Sequence, residues 1–368
     1  MIGNSDLHDI ESIYHSLRKN SEHMLGYPST KFLDFTSLHK FLEIPMNNIG
    51  DPFSLSGSYK VNTHEIERNV IEWFSETLNA RNFDVWGYVT NGGTEGNMYG
   101  IYLARELFPD GIVYYSEDTH YSVSKILQLT RTRSIMIKSL TNGEMDYNDL
   151  AASVAIHRDV PPIIFANIGT TMKGAVDDLR KIRKIMNEYA ISRFYIHADA
   201  ALSGMILPFV SDPQPFDFIS GIDSISISGH KFPGCPIPCG VVLAKRDLVN
   251  RVARGVEYIG TNDTTISGSR NGLTPLFLWY IIAKLGKKGF IEIVNQCFSV
   301  ADHAITKLQE KGLEAWRHKN SITVVFPRIN ERVLCKWQIA SQGNNAHIIT
   351  MPNVSKAYID EFIEDLLG

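Results

Sequence analysis

Residues 222–245 read IDSISISGHKFPGCPIPCGVVLAK, and this stretch decides which fold the sequence predicts. Two apolar runs of strand length, IDSISIS (222–228) and GVVLAK (240–245), flank a loop that contains glycine and three prolines. Neighbouring parallel strands need a crossover of about a dozen residues or more, usually a helix. The loop is too short for a helical crossover, so we predict that these two strands pair antiparallel.

Upstream of this stretch, short apolar runs alternate with longer amphipathic segments. The other candidate strands are VWGYVT (85–90), GIVYYS (111–116), SIMIK (134–138), PIIFANI (162–168) and RFYIHAD (193–199). Segments of helical periodicity, such as EGNMYGIYLARELF and DLRKIRKIMNEYA, lie between them. This alternation is typical of an α/β protein. We predict a mostly parallel seven-stranded sheet with helices on both faces.

The pattern changes after about residue 280. A long helical segment (282–312) precedes the candidate strands LEAWRH, SITVVFP and AHIITMP. We interpret residues 281–368 as a smaller C-terminal α+β domain and residues 61–280 as the large domain. Residues 1–60 carry turn signals at GYPST and NNIGDPFSLSG, which favours an irregular and helical N-terminal arm.

The charge balance argues against two classes of partner. The 368 residues carry a formal net charge of −4, so no basic surface for nucleic acid or an anionic membrane is predicted. The N-terminus, MIGNSDLHDIESIYH, is polar and acidic, unlike a signal peptide. No apolar run approaches the roughly 20 residues of a membrane span. We expect a soluble, cytoplasmic protein without nucleic-acid or membrane partners.

The four cysteines predict neither a disulfide framework nor a metal site. Cys235 and Cys239 have a spacing that suits zinc, but no second Cys or His pair follows at ligand spacing. We interpret both as small buried side chains.

Two strand ends carry residues that suit an anionic ligand and a cationic one. VTNGGTEGN (89–97) runs from a strand through two glycines into a helix, and bare N–H groups at a helix N-terminus suit a phosphate. An ordinary turn is the alternative. In RFYIHADAALSG (193–204), Asp199 ends a buried strand and therefore needs a hydrogen-bonding or cationic partner. A helix N-cap is the alternative there.

Two further strand ends carry a histidine and a lysine. His120 follows a strand in SEDTHYS (116–122), where a structural histidine is the alternative. Lys231 follows IDSISIS among apolar, glycine and proline residues, which would desolvate the ammonium and lower its pKa. A lysine of this kind is a nucleophile that forms Schiff bases, whereas the alternative is a lysine that extends along the surface.

Together these four features describe a site for pyridoxal 5′-phosphate. The carboxyl ends of strands in an α/β sheet meet at one edge, where ligands bind. Lysine would hold the cofactor's aldehyde as an imine, aspartate would keep the pyridine nitrogen protonated, and histidine would stack on the ring. The combined signal is more specific than any of its parts.

The sequence resembles the group II pyridoxal-phosphate amino-acid decarboxylases, which have the fold-type I (aspartate aminotransferase-like) architecture. The resemblance covers nearly the whole chain and is densest in these stretches: WGYVTNGGTEGN, DTHYS, NIGTTMKGAVDD, HADAALSGMILPF, SISGHKFPGCPIPCG and SGSRNG. It implies that Lys231 forms the imine, that Asp199 binds the pyridine nitrogen and that His120 stacks on the ring. Ala201 would lie beneath the ring, and Thr171 near the phenolic oxygen.

The resemblance also implies a phosphate site and a second subunit. Gly93 and Thr94 would meet the phosphate, with help from Ser228 and His230. Members of the family are homodimers with active sites at the interface, so Ser269 in SGSRNG would reach the partner's phosphate.

One side chain is a candidate for returning a proton to Cα after carbon dioxide leaves. Tyr258, in GVEYIGTNDTTISGS, lies where related decarboxylases carry a mobile catalytic loop. An ordinary buried tyrosine is the alternative.

A decarboxylase site is also expected to lack the arginine with which an aminotransferase holds the substrate carboxylate.

The resemblance points to a small L-amino acid as substrate. The chain is most similar to the bacterial histidine decarboxylases, so we predict conversion of L-histidine to histamine. Several loops, among them NNIGDPF and GHKFPGCPIP, look more like the plant serine decarboxylases, which makes L-serine the alternative. Leu273 replaces a histidine that is common after SGSRNG in both groups. GYP (26–28) and DPFSLSGSYK (51–60) are expected to fold over the site. Another enzyme on the same scaffold, such as an aminotransferase or β-lyase, and a non-catalytic relative are further alternatives.

Overall fold

A computed structural model of the chain describes residues 9–54 and 57–366. The first residues of the polar N-terminus, and positions 55–56 within DPFSLSGSYK, lie outside this part of the chain.

Fourteen strands and ten α-helices are present in the described residues. The strands are β1 (Asn47–Ile49), β2 (Val85–Thr90), β3 (Ile112–Ser116), β4 (Ser134–Ile137), β5 (Pro162–Asn167), β6 (Tyr195–Asp199), β7 (Ser224–Ser228), β8 (Gly240–Lys245), β9 (Arg254–Val256), β10 (Thr261–Asp263), β11 (Ser269–Asn271), β12 (Thr323–Pro327), β13 (Ala340–Gln342) and β14 (Asn345–Ile349). The helices are α1 (Asp9–Asn20), α2 (His64–Thr77), α3 (Gly93–Leu107), α4 (Ser122–Leu129), α5 (Tyr147–Ile156), α6 (Leu179–Glu188), α7 (Arg246–Val249), α8 (Leu273–Glu310), α9 (Glu331–Lys336) and α10 (Lys356–Asp365).

The central sheet has seven strands in the order β2-β8-β7-β6-β5-β3-β4. Neighbours from β7 to β4 pair parallel. β8 pairs antiparallel with both β7 and β2. The sequence prediction of a mostly parallel seven-stranded sheet, with an antiparallel β7–β8 pair, is therefore confirmed.

Helices cover both faces of the sheet and bury a hydrophobic core on each. Phe74 of α2 and Ile182 of α6 belong to the larger core, which extends into the C-terminal part of the chain. Tyr99 of α3, Ile126 of α4 and Leu248 of α7 belong to the second core on the opposite face. Because both faces are covered, the inner strands β5, β6 and β7 are buried along their whole length, even where serine alternates with isoleucine in β7.

The C-terminal part differs from the sequence prediction in three places. The long helix begins at Leu273, upstream of the predicted start, and is interrupted at Gly286, whose φ of 54° breaks the helical path. LEAWRH forms only one bridge, between Trp316 and Val325, instead of a strand. The three-stranded antiparallel sheet is completed by β13, in the order β12-β14-β13.

The predicted division into three domains stays a prediction, and its boundary at residue 280 falls within α8.

Residues of the N-terminal segment pair with the C-terminal part of the chain. The N–H groups of Leu25 and Gly26 donate to the carbonyls of Trp337 and Gln338, and the Ile349 N–H donates to the Leu25 carbonyl. A Cβ at Gly26 would collide with the backbone of residues 338–340, so only glycine permits this close approach.

No helix in residues 9–54 and 57–366 is long and apolar enough to cross a membrane.

Candidate active site

A cavity of about 240 Å³ opens at the carboxyl ends of the parallel strands. It lies where chain segments leave β2, β3, β5, β6 and β7, which is the usual ligand position in an α/β sheet. Nine predicted site residues line it: Gly93, Thr94, His120, Thr171, Asp199, Ala201, Ser228, His230 and Lys231.

Lys231 lies in the loop that follows β7, close to the cavity floor formed by the strand ends. Its amine has no hydrogen bond or ion pair to any described residue. Burial lowers the pKa of Lys231, and the negative charge of Asp199 opposes that effect in part. A larger fraction of the amine is therefore unprotonated at neutral pH than in a solvated lysine, which makes it a better nucleophile.

Asp199 is the last residue of β6 and is buried. The Asn97 side-chain amide donates to its Oδ2 at 2.8 Å, and the Ala201 N–H donates to its Oδ1 at 3.2 Å. No α-helix begins at this point, since a short 3-10 turn (Ser203–Met205) follows. The α-helix N-cap alternative therefore does not describe Asp199.

His120 is held by the start of the next helix. The Ser122 N–H donates to its Nδ1 at 3.3 Å, and the Ser122 hydroxyl lies 2.8 Å from the same nitrogen. Because Nδ1 accepts, the neutral ring carries its proton on Nε2. Burial lowers the pKa of His120, with Lys231 and Lys125 acting in the same direction and Asp199 opposing them. The ring is accordingly neutral at pH 7.

The turn before α3 forms a cradle of backbone N–H groups. Gly92 precedes the helix with φ 154° and ψ 173°, a conformation that is essentially restricted to glycine. The N-cap residue, Gly92, has no side chain with which to cap the first N–H groups of α3. A Cβ on Gly93 would lie 2.6 Å from the Ser228 hydroxyl oxygen, so the helix end and the end of β7 approach as closely as glycine allows. Free N–H groups and the helix dipole favour a phosphate here.

Thr171 and His230 complete the predicted set. Thr171 is exposed, and its hydroxyl makes no hydrogen bond to a described residue. The adjacent Thr170 is buried and serves the loop itself, because its hydroxyl accepts from the Ala175 N–H at 3.0 Å. His230 Nδ1 lies 2.8 Å from the Cys239 carbonyl, which anchors the ring to the proline-rich loop.

Tyr258 and Ser269 do not line the cavity of the single chain. Tyr258 lies in a short 3-10 turn (Glu257–Ile259) and its side chain is 85% exposed, so it is not an ordinary buried tyrosine. Ser269 begins β11, and its hydroxyl accepts from the Asn47 side chain at 3.0 Å. Their predicted roles stay predictions.

Sequence reasoning missed five polar residues that line the cavity: Asn97, Ser122, Asn167, Thr170 and His347. His347 of β14 is buried between two carbonyls, 3.1 Å from that of Met172 and 3.0 Å from that of Gly26. Its position in an otherwise apolar strand was a signal, because a buried imidazole needs partners.

The two neighbouring cysteines belong to the loop after Lys231. Cys235 and Cys239 are buried and free, and the Cys235 sulfur together with burial raises the pKa of Cys239. Within the described ranges, no three His, Cys, Asp or Glu side chains come together in a group that would hold a metal ion.

These residues fit a phosphorylated pyridine aldehyde. The Lys231 amine, which has no partner in the part of the chain that the structure describes, lines the same cavity as a buried carboxylate and the glycine-rich N-terminus of α3. The aldehyde, the ring nitrogen and the phosphate of pyridoxal phosphate would therefore each find a complementary group in this cavity.

A family model described as the pyridoxal-dependent decarboxylase conserved domain matches residues 57–329. The chain belongs to this family. Its cofactor is pyridoxal 5′-phosphate, and the protein is an amino-acid decarboxylase, a carboxy-lyase.

The sequences of similar proteins align with this decarboxylase along its whole length. Histidine decarboxylase of Pseudomonas entomophila is 46% identical over 100% of this chain and 92% of its own. The protein of the same name from Mesorhizobium japonicum is 44% identical over 100% of this chain and 99% of its own. That of Morganella morganii is 46% identical over 99% of this chain and 97% of its own.

Solved structures agree with the fold. L-methionine decarboxylase from Streptomyces sp. 590 superposes with a TM-score of 0.90 at 26% identity, covering 100% of this chain and 95% of that one. Glutamate decarboxylase of Lactobacillus brevis gives a TM-score of 0.82 over 98% of this chain and 91% of that one, and at 17% identity it supports the fold alone. The prediction of a fold-type I architecture is confirmed.

Proposed function

We propose that the decarboxylase converts L-histidine to histamine and carbon dioxide. The observation that carries this proposal is the convergence of the Lys231 amine, the Asp199 carboxylate and the His120 imidazole on one cavity. The choice of histidine is supported by relatives that carry the name histidine decarboxylase and are 44–48% identical over at least 94% of this chain.

Bound pyridoxal phosphate supplies an aldehyde that joins the substrate's amino group and a protonated ring that takes up the electron pair left by departing carbon dioxide. We propose that Lys231 holds this cofactor through its amine and that Asp199 holds the proton of the ring nitrogen. Gly93, Thr94, Ser228 and His230 bind the phosphate.

His120 packs against the ring in this proposal, with Ala201 opposite it and Thr171 near the phenolic oxygen. The lowered pKa of His120 keeps the imidazole neutral, so its packing adds no positive charge to the ring face. The proton on Nε2 is available to a neighbouring acceptor.

The cavity lining favours a decarboxylase over an aminotransferase. None of the described residues that line it is an arginine. An arginine would hold the substrate carboxylate in a bidentate ion pair and resist its loss. Without one, no arginine ion pair from these lining residues opposes the loss of the carboxylate as carbon dioxide.

Room for the substrate side chain lies beside the N-terminal segment. Gly26, Tyr27 and Pro28 line the cavity, as expected for GYP, and His347 and Ile349 line it from β14. No described residue of the DPFSLSGSYK stretch lines it. We propose that the imidazole of histidine binds between the 26–28 segment and β14.

The serine alternative is not favoured. Leu273, at a position where both groups commonly have a histidine, starts α8, does not line the cavity and does not distinguish the two substrates. The relatives of 44–48% identity are named for histidine instead.

Product analysis tests the proposed substrate. Purified protein with pyridoxal phosphate is incubated with each of the twenty amino acids, while carbon dioxide and amines are measured. Histidine should release carbon dioxide and histamine in equal amounts. Ethanolamine from serine, or a keto acid without carbon dioxide, would overturn the assignment.

We further propose that Tyr258 returns the proton to Cα. Its exposure on a short turn fits a group that moves to a cavity of its own or of a second subunit. Tyr258→Phe should retain the cofactor yet slow histamine formation or divert turnover toward oxidative deamination. Unchanged histamine formation would remove Tyr258 from the mechanism.

We also propose a homodimer with active sites at the interface, in which Ser269 reaches the partner's phosphate. The exposed apolar side chains of α1, among them Ile10, Ile13 and Leu17, support a surface that another chain covers. Sedimentation of the loaded protein should give the mass of two chains. A monomer that decarboxylates at the full rate would contradict the proposal. A cytoplasmic location stays a prediction.

A further inference from the structure

A relay of four hydrogen bonds runs behind the cavity from Tyr195 through Ser224, His197 and Asn97 and ends on Asp199. The Tyr195 hydroxyl donates to Ser224 Oγ at 2.7 Å, and Ser224 Oγ lies 2.7 Å from His197 Nδ1. His197 Nε2 lies 3.0 Å from Asn97 Oδ1. The Asn97 amide nitrogen then donates to Asp199 Oδ2 at 2.8 Å.

These groups are closed off from water. Tyr195, His197 and Ser224 are fully buried, and Asn97 is only 3% exposed. The helix α3 lies directly on this part of the sheet, because a Cβ at Gly100 would collide with the His197 ring. If one of these four hydrogen bonds is lost, no water molecule can reach the buried groups to replace it.

The donors and acceptors of these four hydrogen bonds are self-consistent in only one direction. Burial lowers the pKa of His197 to about 3, so the neutral ring carries a single proton. With Tyr195 donating to Ser224, the Ser224 hydroxyl donates to Nδ1 and the ring proton sits on Nε2. Nε2 then donates to the Asn97 oxygen, which turns the Asn97 NH₂ group toward Asp199.

The reverse arrangement would fail at the last link. A proton on Nδ1 would leave Nε2 as an acceptor and draw the Asn97 NH₂ group toward His197. The Asn97 oxygen would then face the Asp199 carboxylate, acceptor against acceptor. The tautomer of a histidine outside the cavity thus decides whether Asp199 receives a hydrogen bond.

We propose that Asn97, His197, Ser224 and Tyr195 are positioning residues that act through Asp199 on the ring nitrogen of the cofactor. They hold the carboxylate in one orientation and supply a donor to Oδ2. This inference rests on the proposed role of Asp199 toward pyridoxal phosphate, and it is independent of which amino acid is the substrate.

Cofactor binding, rather than turnover, provides the test. Dissociation constants are measured by absorbance and fluorescence titration for pyridoxal phosphate and for its analogue in which carbon replaces the ring nitrogen. In Asn97→Leu, which keeps the branched shape of the side chain but removes the donor, pyridoxal phosphate should bind about tenfold or more weakly, the usual effect of losing a hydrogen bond to a charged group. The dissociation constants of the analogue for wild type and Asn97→Leu should lie within about twofold of each other. A substitution that weakens only the ligand with the ring nitrogen shows that Asn97 acts through the contact between Asp199 and that nitrogen.

Two milder substitutions keep the proposal testable even if Asn97→Leu does not fold. Ser224→Ala removes the hydroxyl that fixes the His197 tautomer, and it should weaken pyridoxal phosphate about threefold while leaving the analogue unaffected. Tyr195→Phe should act in the same direction with a smaller effect. Tyr114→Phe, a buried strand tyrosine of the same sheet outside the relay, is the matched control and should change neither constant.

Equal weakening of both ligands in Asn97→Leu and Ser224→Ala would overturn the inference, because it would show a merely structural role. Unchanged affinity for both ligands in these variants would overturn it as well. If wild type itself bound neither ligand, the assignment of the cofactor site would fail instead, so the two failures are distinguishable.

Discussion

At the scale of single residues, the site depends on two groups that burial affects in different ways. The Lys231 amine has no hydrogen bond or ion pair within residues 9–54 and 57–366, and burial lowers its pKa. Asp199 keeps two protein donors, so its carboxylate is buried with its hydrogen bonds satisfied. One group is left reactive and the other is held in place.

Asp199→Asn should separate cofactor binding from catalysis. The amide carries no negative charge to stabilise a protonated ring nitrogen, and losing one partner of a buried charge pair costs about 3–5 kcal/mol. We expect histamine formation to fall by about a hundredfold or more, with pyridoxal phosphate still bound at a raised concentration. The rate of histamine formation in cofactor-saturated protein measures this.

Asp223→Asn is the control for that substitution. Asp223 lies just before β7, at the opposite end of the strand from the cavity, and pairs with Lys245 at 2.6 Å. Its loss should leave the rate of histamine formation unchanged. Equal rates in Asp199→Asn and wild type would exclude the proposed role of Asp199.

At the scale of elements, the cavity is made by strand ends and by the close approach of α3. Gly93 meets Ser228 where a Cβ would lie 2.6 Å from the hydroxyl oxygen, but 3.9 Å from the Ser228 Cβ. The backbone N–H cradle at the start of α3 thus depends on the absence of a Cβ at Gly93, opposite the Ser228 hydroxyl.

Gly93→Ala should therefore weaken cofactor binding through a specific collision. Overpacking costs about 1–3 kcal/mol, which corresponds to roughly tenfold in the dissociation constant of pyridoxal phosphate. In a Ser228→Ala background the collision disappears, so the added alanine should cost much less. Titration of all four variants measures the coupling, and an equal loss in both backgrounds would refute this account of the cradle.

The elements of the large sheet could be predicted because their signal is local. Seven apolar runs of strand length gave all seven strands, and the short loop after Lys231 gave the antiparallel pair. The strand β13 escaped prediction because its three residues, Ala340–Gln342, are held by pairing with β14 instead of by their own pattern.

The relay to Asp199 could not be predicted because it depends on contacts between elements. His197 and Asp199 share a face of β6, which their spacing in the sequence indicates. The partners come from elsewhere: Ser224 lies opposite His197 in the β6–β7 register, and Asn97 comes from α3. The register and the helix position exist only in the folded chain.

At the scale of the whole molecule, the two ends of the chain close the site together. Gly26 and its neighbours reach the cavity by pairing with the C-terminal part, and His347 contacts the Gly26 carbonyl from β14. Tyr258 and Ser269 lie outside the cavity of one chain, so their predicted roles depend on a loop movement or a second chain. A single sequence does not determine either.

The buried His197 should make the stability of the whole protein depend on pH. The unfolded chain binds a proton at this residue near pH 6.5, whereas the folded pKa is about 3. Between these values only the unfolded state is protonated, so the free energy of unfolding is intact above about pH 6.5 and falls as the pH drops toward 3. The full difference is on the order of 5 kcal/mol.

Urea unfolding of cofactor-free protein at a series of pH values measures this dependence. Removing the titratable ring in His197→Gln should lower the stability at pH 7 and flatten the decline between about pH 6 and pH 4. A decline as steep as that of wild type would show that His197 is not its source.

The covalent attachment of the cofactor tests the central claim most directly. Protein loaded with pyridoxal phosphate is reduced with borohydride and digested, and the modified peptide is sequenced by mass spectrometry. We predict a stable pyridoxyl group on Lys231, within the ISISGHKFPG segment, and no stable label in Lys231→Arg. A pyridoxyl group on another lysine with Lys231 unmodified would contradict the account.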